Sequence, residues 1–152
     1  MQHWQLLSAE EQDQLWNFVR SQLHFRPYNC NSSIDTSIKH RVIDFSRQAA
    51  TFCTEDRDQH LKQGLLEAFV AVIPAGHEIY ALEYEDDCYR FSPQAVMASE
   101  ADSMWPISPC PISGFVFFIS TDRRQIYCAD GINRRVYLIG EEIVRAFTRY
   151  SL

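Results

Sequence analysis

A chain of 152 residues, 46% hydrophobic and 22% charged, has the make-up of a folded globular protein and not of a disordered segment. Its net charge of −6 and isoelectric point near 5.3 oppose loose association with nucleic acid or an anionic membrane surface, both of which need a basic face. At this length folding buries roughly 70% of the surface that the unfolded chain exposes, so neither disulfide nor metal is needed for stability.

In chain order, Ser8-Ala9-Glu10-Glu11 predicts a capped helix start, with the Ser8 hydroxyl on an N3 amide and Glu11 reaching back. Leu15, Trp16, Val19 and Leu23 then share one helical face, and Arg26-Pro27 ends the helix. Asn29 to Ser33 reads as loop and Lys39 to Phe45 as a strand. A second helix is expected from Thr54 to Ile73, striped by Leu61, Leu65, Leu66, Phe69, Val70 and Ile73, with Gly64 a mild weakness. Tyr80, Leu82 and Tyr84 alternate onto one strand face, and Tyr89 and Phe91 onto one face of the next. A two-residue Asp86-Asp87 bend would set Tyr84 opposite Tyr89 and Leu82 opposite Phe91, with Glu83 against Arg90 on the far side.

After Pro93 a short turn or helix leads into the polar, proline-rich stretch Ser99 to Gly114. Phe115 to Ser120, Gln125 to Ala129 and Arg135 to Ile139 follow as an antiparallel meander with short connections. Phe115-Val116-Phe117-Phe118-Ile119 is apolar at both parities, as in a central strand covered on both faces. Gly140 introduces a last helix, Glu141 to Tyr150, docked through Ile143, Val144 and Phe147. The expected fold is α+β in a single domain spanning 1–152. It has a five- or six-stranded, mostly antiparallel sheet with N-terminal, middle and C-terminal helices packed on it.

Three adjacent acids, Glu85, Asp86 and Asp87, form the conspicuous constellation. Carboxylates act as acid and base when burial separates their pKa values, but a tight bend leaves them in water, as a solvated turn or a docking patch. The five histidines show no HxH or HExxH spacing, and the five cysteines are odd in number, scattered and without a CxxC pair. That pattern argues against a zinc site and for reduced thiols in a cytoplasm. Cys88 and Cys128 fall in strands, where thiols are ordinarily structural. There is no nucleophile elbow or glycine-rich phosphate loop, so no catalytic residue, metal or other cofactor is expected. No signal peptide opens the sequence, and the longest apolar run, broken by Glu67, is too short to span a bilayer. Trp105, in Met104-Trp105-Pro106, suits either an anchor for a partner or a cap on the core. Trp4 and Trp16 read as core, and Arg123-Arg124 and Arg134-Arg135 as solvated turns.

Several landmarks in this order resemble a bacterial family known as domain of unknown function 2716. They are Trp4, Leu7, Glu11 and Trp16, then Phe25-Arg26-Pro27, Tyr80-Ala81-Leu82, Cys88-Tyr89-Arg90-Phe91-Ser92-Pro93, Trp105-Pro106, and the phenylalanine strand with Leu138-Ile139-Gly140-Glu141-Glu142. The chain departs from the family where Asp-Trp-Gln-His is replaced by Glu83-Tyr84-Glu85-Asp86. It departs again at Gly114-Phe115 in place of Gly-Asp, and at Asp130-Gly131-Ile132 in place of His-Pro-Trp. The resemblance implies fold and bacterial origin.

The expected function is binding of a protein partner, most specifically inhibition of a bacterial polymorphic or contact-dependent toxin by an immunity-type protein, a monomer or homodimer. Glu85, Asp86, Asp87 and Trp105 are the expected contacts, with Glu100 and Asp102 as rim; charge steers such encounters and aromatics slow release. The alternative is a small-ligand-binding or hydrolytic domain with a pocket beside the 99–114 connection.

Overall fold

The computed structural model describes residues 3–29, 32–47, 54–99 and 104–150. Seven strands form one sheet: β1 (Trp4–Leu6), β2 (His40–Asp44), β3 (Ile79–Glu83), β4 (Tyr89–Phe91), β5 (Phe115–Ser120), β6 (Ile126–Asp130) and β7 (Arg135–Ile139). The helices are α1 (Ala9–Gln22), α2 (Glu55–Val72), α3 (Pro93–Ala98) and α4 (Glu141–Ala146). The spatial order is β1-β4-β3-β5-β6-β7-β2, and every neighbouring pair is antiparallel. The α+β arrangement is thus as the sequence implies, with one or two strands more than expected.

Local chemistry accounts for the helix starts. The Ser8 side chain accepts from the Glu11 amide at 3.2 Å while the Glu11 carboxylate accepts from the Ser8 amide at 3.2 Å, closing the capping box. Thr54 caps α2 by accepting from the Arg57 amide at 3.1 Å. Ser92 does the same for α3, which has Pro93 in its first turn.

Two cores flank the sheet. On one face Leu61, Leu65, Leu66, Ala68 and Phe69 of α2, with Val96, Ile143 and Phe147, cover Ile79, Ala81, Phe91, Val116, Phe118, Tyr127, Ala129, Val136 and Leu138. On the other, Leu15 and Val19 of α1, with Leu7, Leu23, Phe25 and Ile34, cover Leu82, Phe115, Phe117, Ile119, Cys128, Tyr137 and Ile139. All six residues of β5 are buried, since successive side chains of a strand point to opposite faces and both faces here are roofed. The two-sided covering read from Phe115–Ile119 is correct.

The structure departs from expectation at three places. The first lies before Ser8, where no element is expected and Trp4–Leu6 forms an edge strand on β4, with Trp4 opposite Phe91. The second is the length of α4, which stops at Ala146 with Phe147 extended, not at Tyr150. The third is the register of the β3–β4 hairpin: Ala81 lies opposite Tyr89 and Ile79 opposite Phe91, so no two-residue bend exists. Such a bend wants left-handed dihedrals at both central residues, which Asp-Asp supplies poorly. The chain instead turns earlier, with Glu85 alone at φ 64° and the Asp86 amide donating to the Glu83 carbonyl at 3.2 Å. Asp86 to Cys88 then lengthen the return. Tyr80, Leu82 and Tyr84 serve the α1 core while Tyr89 and Phe91 serve the α2 core.

Candidate functional site

The residues at the β3–β4 tip are held from below. The Tyr84 amide donates to the Phe115 carbonyl at 3.0 Å, and the Tyr84 ring packs edge-on against Trp16 and Phe25 at 5.9 and 5.4 Å between centroids. Cys88 is buried, its carbonyl accepting from the Leu7 amide at 2.9 Å. Between these anchors Glu85, Asp86 and Asp87 are all exposed. Asp86 folds back locally, its carboxylate accepting from the Asp87 amide at 2.8 Å.

Helix α1 supplies the other wall. Gln12, Trp16 and Arg20 are spaced by four, which stacks them on one ridge. Together with Tyr84 and the three acids they line an open depression of about 490 Å³. The Arg20 guanidinium stands 6.0 Å from the Trp16 ring. Trp16 is half-buried, so it serves the core on one side and this depression on the other.

Electrostatics differ along the tip. Burial, and then the hydrogen bond and charge of Asp86, push the Glu83 carboxyl up from 4.5 to about 7, so it keeps its proton into the neutral range. Burial and the adjacent Glu85 charge raise the Tyr84 phenol. Burial raises the Cys88 thiol and drives that of Cys128 well above its ordinary value, which leaves both as thiols and poor nucleophiles.

Of the residues expected at a partner surface, the structure gathers Glu85, Asp86 and Asp87 but sets Trp105 apart. Trp105 is half-buried on the α2 side of the sheet, its ring 5.4, 5.9 and 6.2 Å from those of Trp4, Phe91 and Phe118, with the Lys62 ammonium 5.6 Å from its own. Its neighbour Met104 is 77% exposed. Glu100 and Asp102 lie outside the described residues. The described end of the 99–114 connection is pinned down: Ser108 donates to Asp58 at 2.7 Å and Tyr127 to the Pro109 carbonyl at 2.6 Å. Sequence reasoning missed Gln12, Trp16, Arg20 and Tyr84 as lining; the signal was the 12/16/20 ridge running beside the 15/19/23 core stripe.

Among the described residues no three His, Cys, Asp or Glu side chains converge closely enough to hold a metal ion, and no helix is long and apolar enough to cross a membrane. The buried Asp130 is satisfied within its own turn, accepting from the amides of Ile132 and Asn133 at 3.0 and 2.9 Å and from the Asn133 side chain at 2.8 Å.

No solved structure matches the chain. It is 25% identical over 150 residues to the uncharacterized protein YxiI of Bacillus subtilis (strain 168), covering 96% of this chain and 93% of that one. Residues 6–144 match the family described as a protein of unknown function, DUF2716. The chain belongs to the DUF2716 family, whose match runs from β1 into α4.

Proposed function

We propose that the protein acts by binding another protein through the β3–β4 tip and the depression beside it, as an immunity-type inhibitor that neutralises a bacterial toxin domain. One observation carries the reading: Glu85, Asp86 and Asp87 stand exposed side by side next to the half-buried rings of Trp16 and Tyr84. Exposed carboxylates steer a basic partner and quicken encounter, while a flanking aromatic surface offers area that stays ordered and slows release. The net charge of −6 adds a long-range pull on a partner of opposite sign.

The test is capture from a lysate of the native host on the immobilised protein, followed by mass spectrometry and kinetics on the partner retained. Reversal of Glu85, Asp86 and Asp87 to lysine should slow association by about tenfold or more at low salt and flatten its salt dependence. Equal retention by the reversed variant, with the same on-rate, would remove the tip from the interface.

A further inference from the structure

A second cleft lies where α1 ends, away from the acidic tip. It encloses about 340 Å³ and is lined by His24, Arg26, Asn29, Ser32, Ile34 and Asp35. That volume falls within the range of small-molecule sites.

The cleft has an uncommon backbone. His24 and Tyr28 both hold left-handed dihedrals, φ 51° and 64°, although neither is glycine. Such conformations cost free energy and persist where the surroundings enforce them, often beside binding sites. Here the chain is stapled from both sides: the Arg26 amide donates to the Ser33 carbonyl at 2.8 Å and the Asp35 amide to the Leu23 carbonyl at 3.0 Å. The Val19 carbonyl accepts from the amides of Leu23 and Phe25. The Val19 and Leu23 carbonyls near the end of α1 thus have amide partners.

The His24 and Arg26 side chains are both exposed, and among the described residues neither makes a contact-distance ion pair. Asp35 is turned to another use: its carboxylate accepts from the Ser37 amide at 2.9 Å. That interaction and the Ser37 hydroxyl hold its pKa below the ordinary value, with the charges of His24 and Arg26 contributing less. Ser32 is fixed by a 3.1 Å contact between its hydroxyl and that of the buried Tyr137. Asn29 is fixed through its carbonyl, which accepts from the Asn133 side chain at 3.0 Å. The Arg26 guanidinium and the His24 imidazole thus share one wall system with anchored hydrogen-bonding groups.

We propose that this cleft binds a small oxyanion, a phosphate or carboxylate group gripped by the Arg26 guanidinium with His24 beside it. A guanidinium matches either group with two parallel N–H donors. Asp35 opposes the anion by charge and so keeps the affinity modest.

The test uses the full chain, its 1H–15N spectra followed during titration with sodium phosphate or sodium acetate at constant ionic strength, with sodium chloride as reference. Saturable shifts at His24, Arg26 and Ser32, including the Arg26 side-chain Nε–H, are expected with at least one of the two anions. Whichever saturates first names the preferred group. Arg26→Gln should weaken binding by about tenfold, and Asp35→Asn should tighten it. Shifts that never saturate, or an affinity that neither substitution changes, would overturn the proposal. Both side chains lie outside the two cores, so the variants retain the fold that the comparison needs.

Discussion

Glu83 carries the clearest consequence at the scale of a single residue. In the unfolded chain its carboxyl titrates at the ordinary 4.5, and in the folded chain at about 7. Below 4.5 both states hold the proton and nothing is gained or lost. Between 4.5 and 7 the unfolded chain releases its proton first, so this group lowers stability as pH rises, and above 7 the whole penalty is present. Water still reaches part of the side chain, which reduces the penalty to the order of 1 kcal/mol. Glu83→Gln should therefore match the parent near pH 4 and exceed it by about that amount at pH 8, measured by urea unfolding. Parallel profiles for the two proteins would mean that Glu83 ionises freely in the native state. The same scale shows what individual residues conceal in a sequence. Trp16 and Trp105 both read as apolar rings, yet only Trp16 stands beside the acids, because α1 and the 104–114 stretch lie on opposite faces of the sheet.

Between elements, close packing decides. Helix α2 meets α4 and the segment after it at Gly64, where an added Cβ would lie 2.9 Å from Phe147 Cζ and 3.1 Å from Cε2. Alanine would favour the helix by about 1 kcal/mol, but Phe147 is 1% exposed and its ring has little room to retreat. Overpacking of this kind costs about 1–3 kcal/mol, so Gly64→Ala should lower stability by about 1 kcal/mol in denaturant unfolding. Helix starts were legible because caps are local, as Ser8 and Thr54 show, whereas the ends of α1 and α4 came earlier than read. The β3–β4 register was not. Alternation selects a register when one sheet face is wet, and here both faces are roofed, so Tyr89 finds a covered side at either parity. Trp4–Leu6 was hidden for a different reason. Three residues are too few to show a period, and their strand character comes from pairing with β4.

Across the whole molecule the sheet is graded from its centre outwards. Strands β5 and β6 are buried throughout and paired on both sides, whereas β1 and β2 are the two edges, β1 only three residues long. Amide hydrogen exchange should follow that order, slowest in Phe115–Ser120 and Ile126–Asp130 and fastest in Trp4–Leu6. Uniform protection across the sheet would mean that the edges open only with global unfolding. The charge pattern belongs to this scale too: the acids at the tip share one depression with Arg20, while Arg26 and His24 line a second cleft beyond the end of α1. Composition announced an acidic protein; only the path of the chain places Arg20 among the acids and Arg26 in the other cleft.

Phe117 and Phe118 are neighbours in β5 that feed opposite interiors. Loss of one residue from that strand would send every later side chain of it through the sheet, delivering rings into spaces shaped for branched aliphatics and the reverse. Both compartments would remain greasy, yet neither would fit its contents. Length variation among relatives should accordingly gather in the connections and spare β5, however conservative its individual replacements are.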